Sequence, residues 1–290
     1  MRIHIIGSKS SWYLADLQRA AENRHVVQGW PYEELSSVVG GEHTSVVTQT
    51  SVGNCDATIL RTMPPGSLEQ VIFRMDALGC LERGGTYLLN SPRAMEVAID
   101  KFLATSRIHE AGLLSPMTHV SQRWQDAIEG FQMLGGDVVI KPLFGGEGRG
   151  ITRASDEELA VRAFKMLSQM GAVIYQQQFI EHEGSDIRVL VLGKRVWAMR
   201  RRNANDWRSN ISRGATAEPT ELTSELRETA FRAAEAVGAL FAGVDILEGR
   251  DGKRYVLEVN AVPGWKATAA VLNVDIAAEV LKHLEEVVGQ

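Results

Sequence analysis

The chain has 290 residues, 44% of them hydrophobic and 23% charged, with a net charge of −5 at neutral pH. These values fit a globular protein with a sizeable core and two or three subdomains, and the acidic balance gives no footing for general nucleic-acid or membrane-surface binding. The two cysteines, Cys55 and Cys80, are too few for a disulfide scaffold or a zinc site and read as buried thiols of a reducing, cytoplasmic compartment, and no run approaches the roughly 18 apolar residues of a membrane span.

In chain order, Arg2 to Ile6 reads as a strand rather than a signal peptide, Gly7 to Ser11 as a tight turn, and Trp12 to Asn23 as a helix. This is the opening unit of an open α/β domain, without the glycines of a GxGxxG fingerprint. Residues 26 to 47 show no clear period. Asp56 to Arg61 is a strand, Ser67 caps a helix that Gly84-Gly85 closes, and Thr86 to Leu89 is a short strand. Tyr13, Arg61 and Met63 fall near strand ends, where open sheets bind ligands.

Asn90-Ser91-Pro92 breaks the chain and caps one helix predicted over Arg93 to Ala111, with Lys101 on it; by itself Lys101 reads as a solvated surface lysine. Asp137 to Lys141 is a strand that ends in lysine. The FGGEGRG loop follows, and its Gly145, Gly146, Gly148 and Gly150 allow backbone N–H groups to approach phosphate oxygens. It lacks P-loop spacing, and a hairpin turn is the plain alternative. Lys141 would give a point charge to the phosphates beneath this lid. A helix from Asp156 to Met170 is expected to be capped by Ser155, and Ala172 to Ile180 is a strand ending near Gln178 and Phe179.

Asp186 and Arg188 share one strand face through period-two alternation. Asp186 can accept ribose hydroxyls or position a lysine, and Arg188 can clamp a phosphate or carboxylate. Gly193-Lys194 is a turn. Five arginines between Arg200 and Arg213 read as a solvated loop or an RNA patch, but the acidic chain and the lack of aromatics other than Trp207 count against RNA. Helices are expected from Thr223 to Gly238 and from Ile276 to Val288.

Phe241 to Trp265 reads as a β-hairpin with Asp251-Gly252 in its turn. A carboxylate such as Asp245 inside an apolar strand is costly to bury without a partner. Pairing can bring Asp245, Glu258 and Asn260 to one point, an all-oxygen set that suits Mg²⁺ shared with phosphates. The alternative is an ordinary hairpin with its acids in solvent.

GVDIL followed by LEVNAVPG resembles the metal-binding hairpin of the ATP-grasp carboxylate–amine ligases, and more narrowly the RimK-like α-L-glutamate ligases, over roughly residues 90 to 280. The resemblance implies an α/β (α+β ATP-grasp) fold: a Rossmann-like N-terminal domain over 1–90 that helps bind the acceptor, a lid subdomain over 91–178 and a metal-binding subdomain over 179–290. It implies two Mg²⁺ ions, with Mn²⁺ as a substitute, on Asp245, Glu258 and Asn260. Lys101 and Lys141 then reach the ATP phosphates under the glycine loop, and adenine binds the backbone near Gln178 and Phe179. RxxxxxWRSNxSRG resembles the loop facing the γ-phosphate and the incoming amino acid. That assigns Arg202 and Arg213 to substrate carboxylate and acyl-phosphate, Asn210 to phosphates or metal, and Arg208 and Ser209 to the bound nucleotide. The implied partners are ATP, L-glutamate and an acceptor carboxylate (a pterin or other small acid, or a protein C-terminus), without nucleic acid or membrane, in a homo-oligomer. Another amine with a carrier-protein acceptor, or a nucleotide-binding module without ligase activity, is the alternative.

Overall fold

The computed structural model describes residues 1–40, 45–47, 55–145 and 150–289. The first sheet is built from β1 (Arg2–Ile6), β2 (Val26–Trp30), β5 (Ala57–Leu60) and β6 (Tyr87–Leu89), after α1 (Trp12–Ala21), the small β3 (Ser36–Val38) and β4 (Ser45–Val47) hairpin, and α2 (Leu68–Arg83). Its order is β2-β1-β5-β6 and all pairs are parallel. Ile3, Ile5, Ile6 and the whole of β5 are buried, as expected of parallel strands covered on both faces. The strand order turns between β1 and β5. Ser11 caps α1, and Ser67 with Gln70 forms a capping box on α2.

The single helix expected over 93–111 is two, α3 (Pro92–Ile99) and α4 (Lys101–Glu110). Asp100 ends the first, and its side chain accepts the N–H groups of Phe102 and Leu103, capping the second. Both helices pack with α7 (described below) on the largest sheet, so packing joins them to that sheet rather than to the lid.

The lid sheet holds β7 (Thr118–Ser121), β8 (Val138–Lys141), β9 (Thr152–Ala154) and β10 (Ile174–Gln178) in the antiparallel order β7-β10-β8-β9. Helices α5 (Trp124–Met133) and α6 (Glu157–Gln169) cover it through Phe131 and Phe164. Asp156 caps α6 in place of the expected Ser155, because its carboxylate accepts Leu159 N–H at 2.9 Å.

The largest sheet runs β13-β12-β11-β14-β15, from β11 (Ser185–Leu192), β12 (Arg195–Arg202), β13 (Thr216–Pro219), β14 (Phe241–Glu248) and β15 (Arg254–Asn260). Helix α7 (Ser224–Val237) covers one face, and Gly238 closes it in the left-handed conformation. α8 (Lys266–Leu272), missed in the sequence, precedes α9 (Ile276–Val288). On the other face β11 changes character along its length. Leu190 and Leu192 lie with Phe241 and Trp265 under α1 and α9, while on the same face Asp186 lines a cleft and Arg188 adjoins it. Thus α9 shares a core with the first sheet. Asn90 ties these parts together: its amide nitrogen donates to Phe241 O and Ala261 O at 2.6 Å, and its oxygen accepts the N–H groups of Leu240 and Phe241 at 2.8 Å. Among the described residues no helix is long and apolar enough to cross a membrane.

Candidate active site

The site begins at the β14–β15 pair. Asp245 is opposite Glu258, and Gly243 is opposite Asn260. The register shifts beside Asp245, leaving Leu257 as the extra residue of a bulge, and Leu257 and Glu258 both line the cleft. From β11, Arg188 stands beside Asp245 and donates to Oδ2 at 3.1 Å. From β12, Arg201 stands opposite Asp186, donates to it through Nε at 2.7 Å, and lies 2.9 Å from Asp245. Asp186, Asp245 and Arg201 are all buried, and their mutual pairing offsets the cost of burying charge. Burial works against the Arg201 guanidinium, but Asp245 and Asp186 outweigh it and hold it above its ordinary value. Burial pushes the Asp186 carboxyl up, with Arg201 and the Ser209 hydroxyl pulling it back.

Two ammonium groups face this carboxylate row. Lys141, at the end of β8, donates to Gln177 Oε1, and Gln177 in turn donates to Thr118 Oγ1 at 3.0 Å. Burial lowers Lys141 to about 8, with Glu258 opposing the shift and Lys101 adding to it. Lys101, the first residue of α4, donates to Gly145 O at 2.7 Å, and burial lowers it too. Glu258 has no hydrogen bond or ion pair among the described residues.

These donors fit a hard divalent cation. Asp245 Oδ1 is buried without a hydrogen bond; Arg188 is 3.0 Å away but lacks hydrogen-bond geometry to it. Among the described residues Glu258 is unpartnered and Asn260 Oδ1 accepts Val262 N–H, at 2.8 Å, and no other, which leaves it a lone pair. Among the described residues no three His, Cys, Asp or Glu side chains form a metal cluster. Two carboxylates and one amide fall below that count, and Mg²⁺ ordinarily completes its shell with phosphate oxygens and water.

The far end of the cleft is apolar. Val139, Ile151, Ile180, Leu247 and Leu257 line it with Phe179 and Trp207, whose ring centroids are 5.7 Å apart. Arg153 lies 3.5 Å over Phe179. The cleft and its open mouth together span about 710 Å³, much of it open to solvent. The N–H groups of Gln178 and Phe179 already donate to Met117 O and Asp137 O, so a base here meets other groups of the connecting segment.

Lys141, Gln178, Phe179, Asp186, Arg208, Ser209, Asn210, Asp245 and Glu258 thus line one cleft. Arg188 and Asn260 adjoin it on the same sheet face, and Lys101 with Gly145 at the lid. Gly146 and Gly148 lie outside the described residues. Arg208 is held by Asp206 and reaches Ile151 O at 3.1 Å. Arg202 and Arg213 are not among the lining residues: Arg202, on the opposite face from Arg201, is half exposed beside Glu218, and Arg213 is exposed in a short 3₁₀ turn. Sequence reasoning missed Arg201, Gln177, and Asn203, whose amide donates to Arg208 O and Arg213 O and pins the loop.

A family profile described as the RimK-like ATP-grasp domain matches residues 98–284. The tetrahydromethanopterin:alpha-L-glutamate ligase of Methanosarcina acetivorans is 35% identical over 267 residues, 81% of this chain and 82% of that one. A probable alpha-L-glutamate ligase of a Picosynechococcus species is 31% identical over 99% of this chain and 96% of its own. Among solved structures, the ATP-grasp ligase PsnB with minimal precursor, Mg and ADP has a TM-score of 0.76 at 22% identity, covering 99% of this chain and 98% of that one. A RimK domain protein from Sphaerobacter thermophilus has a TM-score of 0.73 at 20% identity, covering 98% and 99%. At such identities these structures speak for the fold.

Proposed function

The chain belongs to the RimK-like ATP-grasp family and is an ATP-dependent carboxylate–amine ligase, and from that premise we propose that it joins L-glutamate, by its amine, to a carboxylate of a small pterin-like acceptor. One observation supports this placement of the chemistry: a single cleft has an apolar slot at one end and, at the other, Lys141, with Lys101 adjoining at the lid, facing Glu258, which has no hydrogen bond or ion pair among the described residues.

A carboxylate acylates poorly because its oxygen leaves badly. Transfer of the γ-phosphoryl group from ATP makes an acyl-phosphate and releases ADP. The amine then attacks the acyl carbon, the C–N bond forms, the C–O bond to phosphate breaks, and the amine gives up a proton. Such a reaction asks the protein for positioning and charge neutralisation. Asp245, Glu258 and Asn260 would hold the magnesium, two ions or their manganese substitutes. When bound, that metal neutralises charge on the transferring phosphoryl group. Lys141, fixed by Gln177, and Lys101, fixed at the lid, hold phosphate oxygens. Arg188, anchored on Asp245, faces charge that develops at the acyl centre, and Arg201 keeps Asp186 and Asp245 in place. Phe179 and Trp207 take the base, while Arg208, Ser209 and Asn210 form the wall near the phosphates.

The acceptor proposal is supported by the names of the relatives, two of which are tetrahydromethanopterin:alpha-L-glutamate ligases at 35% and 29% identity. Cys55 and Cys80 are half-buried rather than buried as expected, and neither is in a disulfide among the described residues, which fits a reducing cytoplasm. Homo-oligomeric assembly is a further part of the proposal and is read by light scattering. The main test is ADP release with Mg-ATP and glutamate against pterins, small dicarboxylic acids and acidic C-terminal peptides, with products weighed by mass spectrometry. A pterin product heavier by one glutamate residue is expected. Turnover only with peptides removes the pterin, and turnover only with another amine removes glutamate.

A further inference from the structure

Outside the cleft, one buried cation has no anionic partner among the described residues. Arg61 directly follows β5 and is 5% exposed. Its N–H donates to Ile6 O at 2.8 Å, and a Cβ on Gly7 would come within 2.8 Å of Arg61 Cβ. Arg61 therefore sits between the carboxyl ends of β1 and β5, where the order of the parallel sheet turns. Open α/β sheets bind ligands in that crevice because neighbouring connections leave to opposite sides there.

The guanidinium is bracketed by rings. Its carbon lies 4.5 Å from the Tyr13 ring and 4.9 Å from the Trp265 ring. Rings stabilise the cation weakly and accept none of its in-plane N–H groups in the manner of an oxygen. Nε and Nη1 are buried without an acceptor, and no ion pair to Arg61 exists among the described residues. Burial lowers Arg61 only to about 10, so it is charged at neutral pH. An unsatisfied buried guanidinium is costly, and packing against the rings does not account for the unused donors. Trp265 and Gly264 follow β15, so Arg61 packs between the parallel sheet and the segment leaving the hairpin that carries Glu258 and Asn260. Exposed Lys266, 5.3 Å from the Trp12 ring, adds positive charge on this side.

We propose that Arg61 receives a carboxylate of the acceptor, with Tyr13 and Trp265 holding the guanidinium plane, and that it is a specificity-determining residue of the ligase. The naming of the ligand rests on the ligase reading; the existence of an anion site does not. An acceptor-only group with several lone pairs satisfies unused guanidinium donors, and a second carboxylate of the acceptor, beside the one that reacts in the cleft, is such a group.

The test has two arms. In the first, nucleotide-free protein is titrated with acetate, succinate, glutarate and inorganic phosphate while tryptophan emission is followed. Trp265 touches Arg61, so a saturable change with the dicarboxylates is expected, at least tenfold weaker in Arg61→Met and largely absent in Trp265→Phe. In the second, Arg61→Met is expected to raise the acceptor KM tenfold or more with the Mg-ATP KM within twofold, Arg61→Lys to recover part of it, and the Tm of Arg61→Met to equal or exceed wild type. Equal titrations in wild type and Arg61→Met, equal responses to phosphate and carboxylates, or an unchanged acceptor KM would overturn the proposal, most plainly if the Tm fell as well. If Arg61→Met does not fold, Arg61→Lys carries the same comparison. An Arg61-dependent carboxylate response in a protein that turns over no acceptor would sink the proposed acceptor reaction and leave the anion site standing.

Discussion

Arg201 lies 2.9 Å from a carboxylate oxygen of Asp245 while its Nε donates to Asp186, so one guanidinium buried under the sheet face holds two buried carboxylates from two other strands. Arg201→Met leaves both acids in a low-dielectric site with one partner fewer. Removing one member of a buried ion-paired set costs about 3–5 kcal/mol. Chemical denaturation should show a loss of that order, with Arg201→Lys intermediate. Wild-type stability in Arg201→Met would mean the pairing contributes nothing net.

The neighbouring arginine should behave differently. Arg202 is half exposed, on the opposite face, and 3.6 Å from Glu218. Exposed pairs of this kind contribute about 0–1 kcal/mol. Arg202→Ala is therefore expected to keep stability and to hold kcat within about threefold, a modest change by the rate arithmetic of catalysis. A hundredfold loss of kcat would show that the loop rearranges to bring Arg202 to substrate, as the resemblance in the sequence implies.

That contrast also marks what the sequence could convey. The hairpin, its acids, Lys141 at a strand end and the strand face shared by Asp186 and Arg188 were all legible, because period-two alternation and turn residues are local signals. Three consecutive arginines defeat the same logic unless register is known. Gly193-Lys194 sets it: counting seven residues outward from that two-residue turn pairs Asp186 with Arg201, the pairing observed. The break at Asp100 stayed hidden because both halves carry helical spacing, although an aspartate before Lys-Phe-Leu is a capping signal. Gln177 was masked by its run of three glutamines, where only the sheet decides which one meets Lys141. The junction through Asn90 and the sharing of α9 with the first sheet are long-range packing, which no local pattern encodes.

Glu258→Gln changes charge without changing shape at a side chain that has no hydrogen bond or ion pair among the described residues to lose, and only a longer-range attraction to Lys141 and Lys101. Stability should stay within about 0.5 kcal/mol of wild type. ADP release should fall by about 10² or more, since one interaction with developing phosphoryl charge is typically worth that much. The Mg²⁺-dependent part of the thermal shift with ATP should shrink in parallel. Full turnover in the variant would remove the hairpin from the chemistry.

Burial lowers Lys141 from its ordinary 10.5 to about 8, which sets two opposite pH trends. Between those values the unfolded chain holds a proton that the folded protein has released. Stability from this group therefore rises as pH climbs from about 8 towards 10.5, and the cost of burying the ammonium is fully present below about 8. If Lys141 holds phosphate as proposed, binding needs its ammonium, so affinity for a non-hydrolysable ATP analogue should fall by about tenfold per pH unit above about 8, with proton uptake on binding near that pH. Calorimetry in buffers of different ionisation enthalpy measures both. Lys141→Arg should flatten the profile, and an equally steep profile in that variant would assign the titration elsewhere.

Gly243 is required by what lies on it. A Cβ there would come within 2.6 Å of Arg188 Nη2 and 2.9 Å of its Cζ, with the guanidinium already engaged by Asp245. The backbone at Gly243 needs no left-handed conformation, so Gly243→Ala should fold with stability changed by about 1 kcal/mol or less, the gain of a methyl on a buried strand set against local crowding. The side chain that must give way is Arg188, and moving it leaves Asp245 Oδ2 to Arg201 alone and misplaces the fork proposed to face the acyl centre. Turnover is expected to fall at least tenfold with the KM for Mg-ATP changed by less than threefold, because a small displacement of a positioned group is felt in the transition state more than in nucleotide binding. Gly243→Ala combined with Arg188→Ala should then lose little beyond Arg188→Ala alone, since the methyl has nothing left to displace. Additive losses in the double variant would show that Gly243 acts on something other than Arg188.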